Sequence, residues 1–302
     1  MIDFLNIGIQ AAIPIMLVTM GGVIAYRAGI LHLGLEGLML IGAFAAVAVT
    51  IRTGSVALGV VAAMLVNAVV SLLFWILVDV LRADLYIAGL GLSLTGVGLT
   101  SFLLEAIFKT QGAVHAQSGL PSVVGGNRHG LLGLFAGLSV LAWATPVLVF
   151  GTWLVLRRTR LGLRVSAVGE YPFAARSAGV NVGAVRCGAL VAAGIFCALG
   201  GAELALAAIN SFGEDMAQGR GYLAVTAVLF GAGHPLGAAV AALFFGLADA
   251  VGIESQLSTH HILPVQFILM VPYVLTIVAI SISSAIRSRR GAPAVFAELR
   301  ES

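Results

Sequence analysis

The sequence predicts an all-α fold, a polytopic transmembrane helical bundle, from three observations. Of 302 residues, 60% are apolar and a further 38 are glycine, while 10% are charged. Soluble domains run near 45–50% apolar with glycine included, and about 25% charged. Mean hydropathy is +1.08. The apolar residues also fall in charge-bounded stretches of about 17–25, the length a helix needs to cross a hydrocarbon core of about 30 Å. One soluble core cannot use that much apolar surface.

The first span runs from about Ile7 to Tyr26 and stops at Arg27. No basic segment precedes it, so it is expected to stay as an anchor and not to be removed as a signal peptide. Gly29 to Gly37, with His32 and Glu36 inside it, leads into a second span ending near Ile51. Irregular backbone at membrane depth is tolerated only against protein or a wet cavity, so this is read as a broken or re-entrant element. Ser55 to Val80 and Leu85 to Phe108 are the third and fourth spans. From Lys109 to Leu134 the chain turns polar, an aqueous loop, before a fifth span from Phe135 to Leu156.

Arg157 to Arg186 is strongly basic, with arginines at 157, 158, 160, 164, 176 and 186 against the single acid Glu170. Cys187 to Ile209 is the sixth span. Cys187 and Cys197 sit about 15 Å apart on it, too far for a disulfide. Two short apolar stretches, Tyr222 to Gly231 and Leu236 to Val251, flank Ala232, Gly233, His234 and Pro235, and a final span runs from Ile262 to Ser284. The expectation is about nine crossings if both short stretches cross, against seven if they form a re-entrant pair. The expected organisation is a transmembrane domain over 1–286, with an external loop at 109–134 and a cytoplasmic loop at 157–186, and a cytoplasmic tail over 287–302.

Short cytoplasmic loops carry the excess of arginine and lysine. Placing 157–186 inside puts Arg27, Arg82, Arg287, Arg289, Arg290 and Arg300 inside with it, and leaves Arg52, Lys109, Arg128 and Arg220 outside. That bias predicts N-out and C-in.

Enzymatic signatures are absent: no H-E-x-x-H, G-x-S-x-G or C-x-x-C, and Lys109, the one lysine, has no P-loop glycines around it. The chain therefore does not bind ATP in the Walker manner. His260 and His261 are neighbours, which on a helix point about 100° apart and do not converge on a metal. No catalytic residue, metal site or nucleic-acid contact is expected.

Within the basic loop, Gly169, Glu170, Tyr171 and Pro172 start a short helix, with a carboxylate and a proline suited to a helix N-terminus. Phe173 to Ala178 continues it and Gly179 ends it in the C′ role. Two readings stay open on these grounds: a small-residue helix shaped to a partner's groove, or a positive-inside loop with no partner.

The pattern T-x-x-G-x-R-x-x-A-V-G-E-x-P-x-A-A-x-x-A-G-[IV], present here from Thr159 to Val180, resembles the cytoplasmic coupling segment of permease subunits of ABC importers in the branched-chain amino acid and simple-sugar superfamily. Leu33 to Ala43 is similar to the "N-x-G-x-E-G-M-M-L-x-G-A" stretch of the branch that takes up nucleosides and related sugars. Gly219 to Gly231, with Pro235 to Ala238 and Phe245 to Ala250, resembles that branch's "G-R-G-[FY]" and "F-G-x-A-[DE]-A" region. His32 stands where the branch usually has Asn, Tyr171 replaces a frequent Asn, and Gly233 with His234 replaces a common Trp-Asn pair. The two histidines mark either an altered substrate preference or the same hydrogen bonding supplied differently.

The resemblance implies that Gly162, Arg164, Gly169, Glu170, Pro172, Ala175, Arg176 and Gly179 form a coupling helix docked on a cytoplasmic ABC ATPase. It also implies a second, longer permease chain and an extracellular or periplasmic substrate-binding protein. ATP and Mg would be held by the ATPase, with no cofactor on this chain, in a bacterial-type plasma (inner) membrane. Intramembrane polar residues are candidates for a translocation path, here His32, Glu36, Asn67, Ser93, Thr95 and His234. Glu36 and Asp249 have an equally good structural reading, satisfying backbone groups of broken helices, while Asp79, Glu105 and Glu203 sit near span ends. The expectation is an ATP-driven importer permease for nucleosides or related sugar-like solutes. The competing expectation is a self-contained secondary transporter or channel for a small polar solute.

Overall fold

The computed structural model describes residues 2–110, 112–123 and 137–257. The expected last span at 262–284, the tail at 287–302 and His260 and His261 lie outside them. Among the described residues, seven helices are long and apolar enough to cross a membrane. They are α1 (Ile2–Arg27), α2 (Leu35–Thr53), α3 (Val56–Trp75), α4 (Leu85–Phe108), α5 (Val140–Arg158), α8 (Val182–Glu203) and α10 (Pro235–Leu257). Three shorter helices, α6 (Arg160–Glu170), α7 (Pro172–Ser177) and α9 (Arg220–Phe230), complete the helical part. With 11 residues, α9 reaches only about 16 Å and does not cross alone. By contrast α10, expected as a short stretch, is a 23-residue helix.

Local chemistry sets the helix ends. Ser55, Asp84, Ser139, Thr159 and Asn181 each accept a backbone N–H in the first turn of the helix they precede, the usual N-cap arrangement. α3 and α8 both run on into a single π-helical turn, at Ile76–Val80 and Leu204–Ala208. Asp79 in the first of these turns pairs with Arg186 at 3.0 Å, tying the end of α3 to the start of α8.

The core is built on α1, α2 and α8, which are buried along much of their length, whereas α3, α4 and α5 each keep one face exposed. α1 packs chiefly against α8 and α10. In the loop after α4, β1 (Ala113–His115) pairs antiparallel with β2 (Ser211–Gly213), with Val114 opposite Phe212. Phe212 is fully buried and stacks edge-on against Phe44 of α2. Sequence periodicity gave no sign of this two-stranded clasp, since three residues are too few for alternation to register.

α2 starts about half-way along its neighbours. Asn67, the twelfth residue of α3, donates its amide to the carbonyls of both Leu38 and Gly194, the latter at the middle of α8. Residues 28–34 therefore climb from the Arg27 end of the bundle to mid-height without helical structure, the broken element expected from the glycines. The segment between β2 and α9 makes the converse descent, and α9 ends where Gly233 meets Tyr26 and Arg27.

Candidate functional site

The N-termini of the two broken helices, α2 and α9, meet at mid-height. Glu36, in the first turn of α2 and 3% exposed, accepts the backbone N–H of Gly219 at 2.8 Å and of Gly221 at 2.6 Å. A helix N-terminus carries roughly half a positive charge. One carboxylate thus faces two such ends, its own and that of α9, and satisfies two N–H groups that have no intrahelical partner. The fit is close: a Cβ on Gly221 would collide with the Glu36 backbone. Beside it, Arg220 grips Asp249 of α10 through Nε at 3.0 Å and Nη2 at 2.8 Å. The two sequence stretches that resemble the nucleoside branch thus meet in one place, through Glu36 of the first and Gly219 to Gly221 and Asp249 of the second.

His32, Ser93 and Asn67 hold the approach to this junction. The His32 ring stacks on Phe74 with centroids 4.3 Å apart, and its Nδ1 accepts the Gly34 N–H at 3.2 Å. Ser93 on α4 donates to the Leu33 carbonyl at 3.1 Å. Gly96 on the same face of α4 lies backbone-to-backbone against Gly37, a contact that side chains would prevent. Four of the six residues expected along a path, His32, Glu36, Asn67 and Ser93, are therefore buried and engaged with backbone groups of this chain. Thr95 is different. It lies on the exposed face of α4 with Gly91 and Gly98, which have open space where a Cβ would be. His234 sits apart from the junction, half-buried at the Arg27 end of the bundle.

At that same end stand α6 and α7. α6 is amphipathic: Gly162 and Val168 are buried while Leu161, Leu163 and Arg164 are exposed. Gly162 lies against the carbonyls of Val155 and Leu156, and Gly169 against the Arg27 carbonyl and Gly29. α7 follows with Pro172 in its first turn and Ala175 buried, and Gly179, at φ +81°, closes it. Pro172 and Gly179 are the start and stop expected from the sequence, but Gly169 and Glu170, expected to open this helix, instead end α6, which was not expected. Val168, Ala175 and Val182 form a small core that fixes α6 and α7 to the start of α8. Outward, Glu170, Arg176 and Gly179 are exposed together with Tyr171 and Phe173, the last at 85%. Sequence reasoning passed over the aromatic pair and Leu161 and Leu163. The available signal was four large apolar residues in the most charged stretch of the chain.

Two other acids also have partners. Glu203 is buried and accepts the Ser139 hydroxyl at 2.7 Å, joining the end of α8 to the N-cap of α5. Arg220, counted among loop cations in the charge distribution, is instead an internal residue whose charge is met by Asp249. Among the described residues, no cluster of three or more histidine, cysteine or acidic side chains has metal-site geometry.

Comparison with known proteins agrees with this picture. The family model described as "Branched-chain amino acid transport system / permease component" matches residues 4–280. The Guanosine ABC transporter permease protein NupQ of Bacillus subtilis (strain 168) is 34% identical over 281 residues, covering 89% of this chain and 88% of that protein. The Nucleoside ABC transporter permease protein NupC of Lactococcus lactis subsp. cremoris (strain MG1363) is 33% identical over 280 residues, again 89% and 88% of the two chains. The Putative glucose ABC transporter permease protein TsgC13 of Haloferax volcanii is 34% identical over 256 residues, 83% of this chain and 77% of that one. No solved structure matches. A glycine-broken bundle, a fixed helical projection at one end and a family match across nearly its whole length place this chain in the branched-chain amino acid transport system permease family of multi-pass membrane proteins.

Proposed function

We propose that this chain is the shorter of two permease subunits of an ATP-driven importer for nucleosides, with α6 and α7 docking on the cytoplasmic ATPase. The observation that carries the docking assignment is the two-sidedness of α6 and α7. One side is locked to α1, α5 and α8 through Gly169, Gly162 and Val168, and the other presents Leu161, Leu163, Tyr171 and Phe173. A segment anchored that firmly transmits a push to the bundle, and its exposed aromatic residues give a partner groove something apolar to bury. The nucleoside assignment is supported by the printed functions of two relatives that align over 89% of the chain.

On this reading the chain crosses the bacterial inner membrane nine times, N-out and C-in, with the descent through β2 and α9 making one crossing. A substrate-binding protein delivers the solute on the β1–β2 side. The path follows the exposed face of α4 at Gly91, Thr95 and Gly98, where the second permease faces it. His32, Glu36, Asn67 and Ser93 frame that path by holding α2 and α9 in place. ATP hydrolysis, with its Mg, belongs to the ATPase. The direct test is co-purification of the ATPase. Glu170→Arg and Phe173→Asp are both expected to abolish it while leaving membrane insertion intact. Retained ATPase binding and solute uptake in both variants would remove the coupling role.

A further inference from the structure

A second site lies at the Arg27 end of the bundle, away from the junction. α1 ends at Arg27, whose Nε donates to the Gly233 carbonyl at 2.8 Å. Gly233, at φ +69°, belongs to the tight turn between α9 and α10, so this bond fixes both the turn and the guanidinium. The last turns of α5 bring in Trp153, Leu156 and Arg157, with the Arg157 guanidinium carbon 5.7 Å from the Trp153 ring centroid. His234 and Pro235 open α10. Together these residues line a cavity of about 320 Å³.

The cavity has a surplus of donors and positive charge. It holds two guanidinium groups and an imidazole, beside the N-terminus of a 23-residue helix, whose first N–H groups have no intrahelical acceptor. The Trp153 indole Nε1 is buried and has no hydrogen-bond partner among the described residues. Among the described residues, no carboxylate lines the cavity. Among the described residues, the ion pairs are Arg186 with Asp79 and Arg220 with Asp249, neither of them here. A group with several acceptor oxygens and a negative charge suits this lining, and a phosphate has both.

The surroundings favour a phosphate that carries hydrocarbon. α5 and α10 pack together through Val149, Ala238 and Ala239. Next to those contacts, Phe150 and Leu154 of α5 and Leu236 and Val240 of α10 are exposed apolar residues. We propose that this cavity holds the headgroup phosphate of an anionic phospholipid, with its acyl chains against α5 and α10. Choline or ethanolamine headgroups are disfavoured, because their ammonium would face the two guanidiniums of Arg27 and Arg157 with no acid among the described lining residues. The bound lipid would brace the α9–α10 turn, because the phosphate meets Arg27 and His234 on either side of it. The site is independent of solute identity and of ATPase docking.

The test is native mass spectrometry of the full-length chain in detergent micelles, titrated separately with phosphatidylglycerol, phosphatidylcholine and inorganic phosphate. One phosphatidylglycerol is expected to bind in preference to phosphatidylcholine and to resist millimolar inorganic phosphate. Arg157→Gln is expected to weaken it about fivefold, from roughly 1 kcal/mol per basic residue at an anionic surface. Arg158→Gln, next in sequence but outside the cavity, is expected to leave affinity unchanged. Equal losses in the two variants would reduce the effect to diffuse surface charge and overturn the site. Equal binding of phosphatidylcholine, or displacement by inorganic phosphate, would overturn the anionic-lipid assignment.

Discussion

Glu36 shows how one side chain answers a question that a broken helix raises. Starting a helix in the middle of a bundle strands N–H groups where water cannot reach them, and each buried, unmet group costs about 1–3 kcal/mol. Glu36 meets two of them on α9. Glu36→Ala is therefore expected to cost about 2–6 kcal/mol in stability, read as a lowered thermal unfolding midpoint of the purified protein. Glu36→Gln, which keeps one acceptor oxygen but turns an amide donor toward the other N–H, is expected to lose about half of that or more. Unchanged midpoints in both would mean that the carboxylate serves transport and not the fold. The motif around Glu36 was legible in the sequence and so was the alternative of a structural role. Its partner was not, because a cap on a helix more than 180 residues later leaves no local spacing to read.

The helices were legible as elements in proportion to their apolar length. α1, α3, α4 and α8 follow from charge-bounded stretches, and Cys187 and Cys197 fall together on α8 as free thiols. α6 was missed because a run with four arginines between 157 and 164 reads as a solvated loop until its buried face is seen. α4 holds the sharpest contrast within one element. Its glycines looked alike in sequence, yet Gly96 rests on the Gly37 backbone while Gly98 faces open space. Gly96→Leu is expected to drive α4 from α2 and lower the thermal midpoint by several degrees. Gly98→Leu is expected to leave stability within about 0.5 kcal/mol, as for an open surface site, and to block solute uptake in reconstituted vesicles. If Gly98→Leu transports normally, the exposed face of α4 is not the path.

For the molecule as a whole, composition sufficed to predict a multi-pass helical bundle. The arrangement that joins Glu36, Arg220 and Asp249 needed coordinates. A bundle whose intramembrane acids are held in internal contacts, Glu36 on the α9 N–H groups, Glu203 on the Ser139 hydroxyl and Asp249 on Arg220, has few carboxylates left for ion-coupled transport. The complex reconstituted with its ATPase is thus expected to accumulate nucleoside only with ATP, and the permeases alone are expected to accumulate none. Uptake driven by an ion gradient without the ATPase would favour a self-contained transporter.

The packing of α1 against α8 and α10 also has a consequence for synthesis. At about 5–20 residues per second, α1 waits on the order of ten to fifty seconds before α10 leaves the ribosome. During that interval the small residues that later meet α10, Gly8 and Ala12, face lipid or an insertion chaperone. A chain stopped before Pro235 keeps the α8 side of α1 covered and leaves its α10 side bare, a form that membrane quality-control proteases are placed to remove.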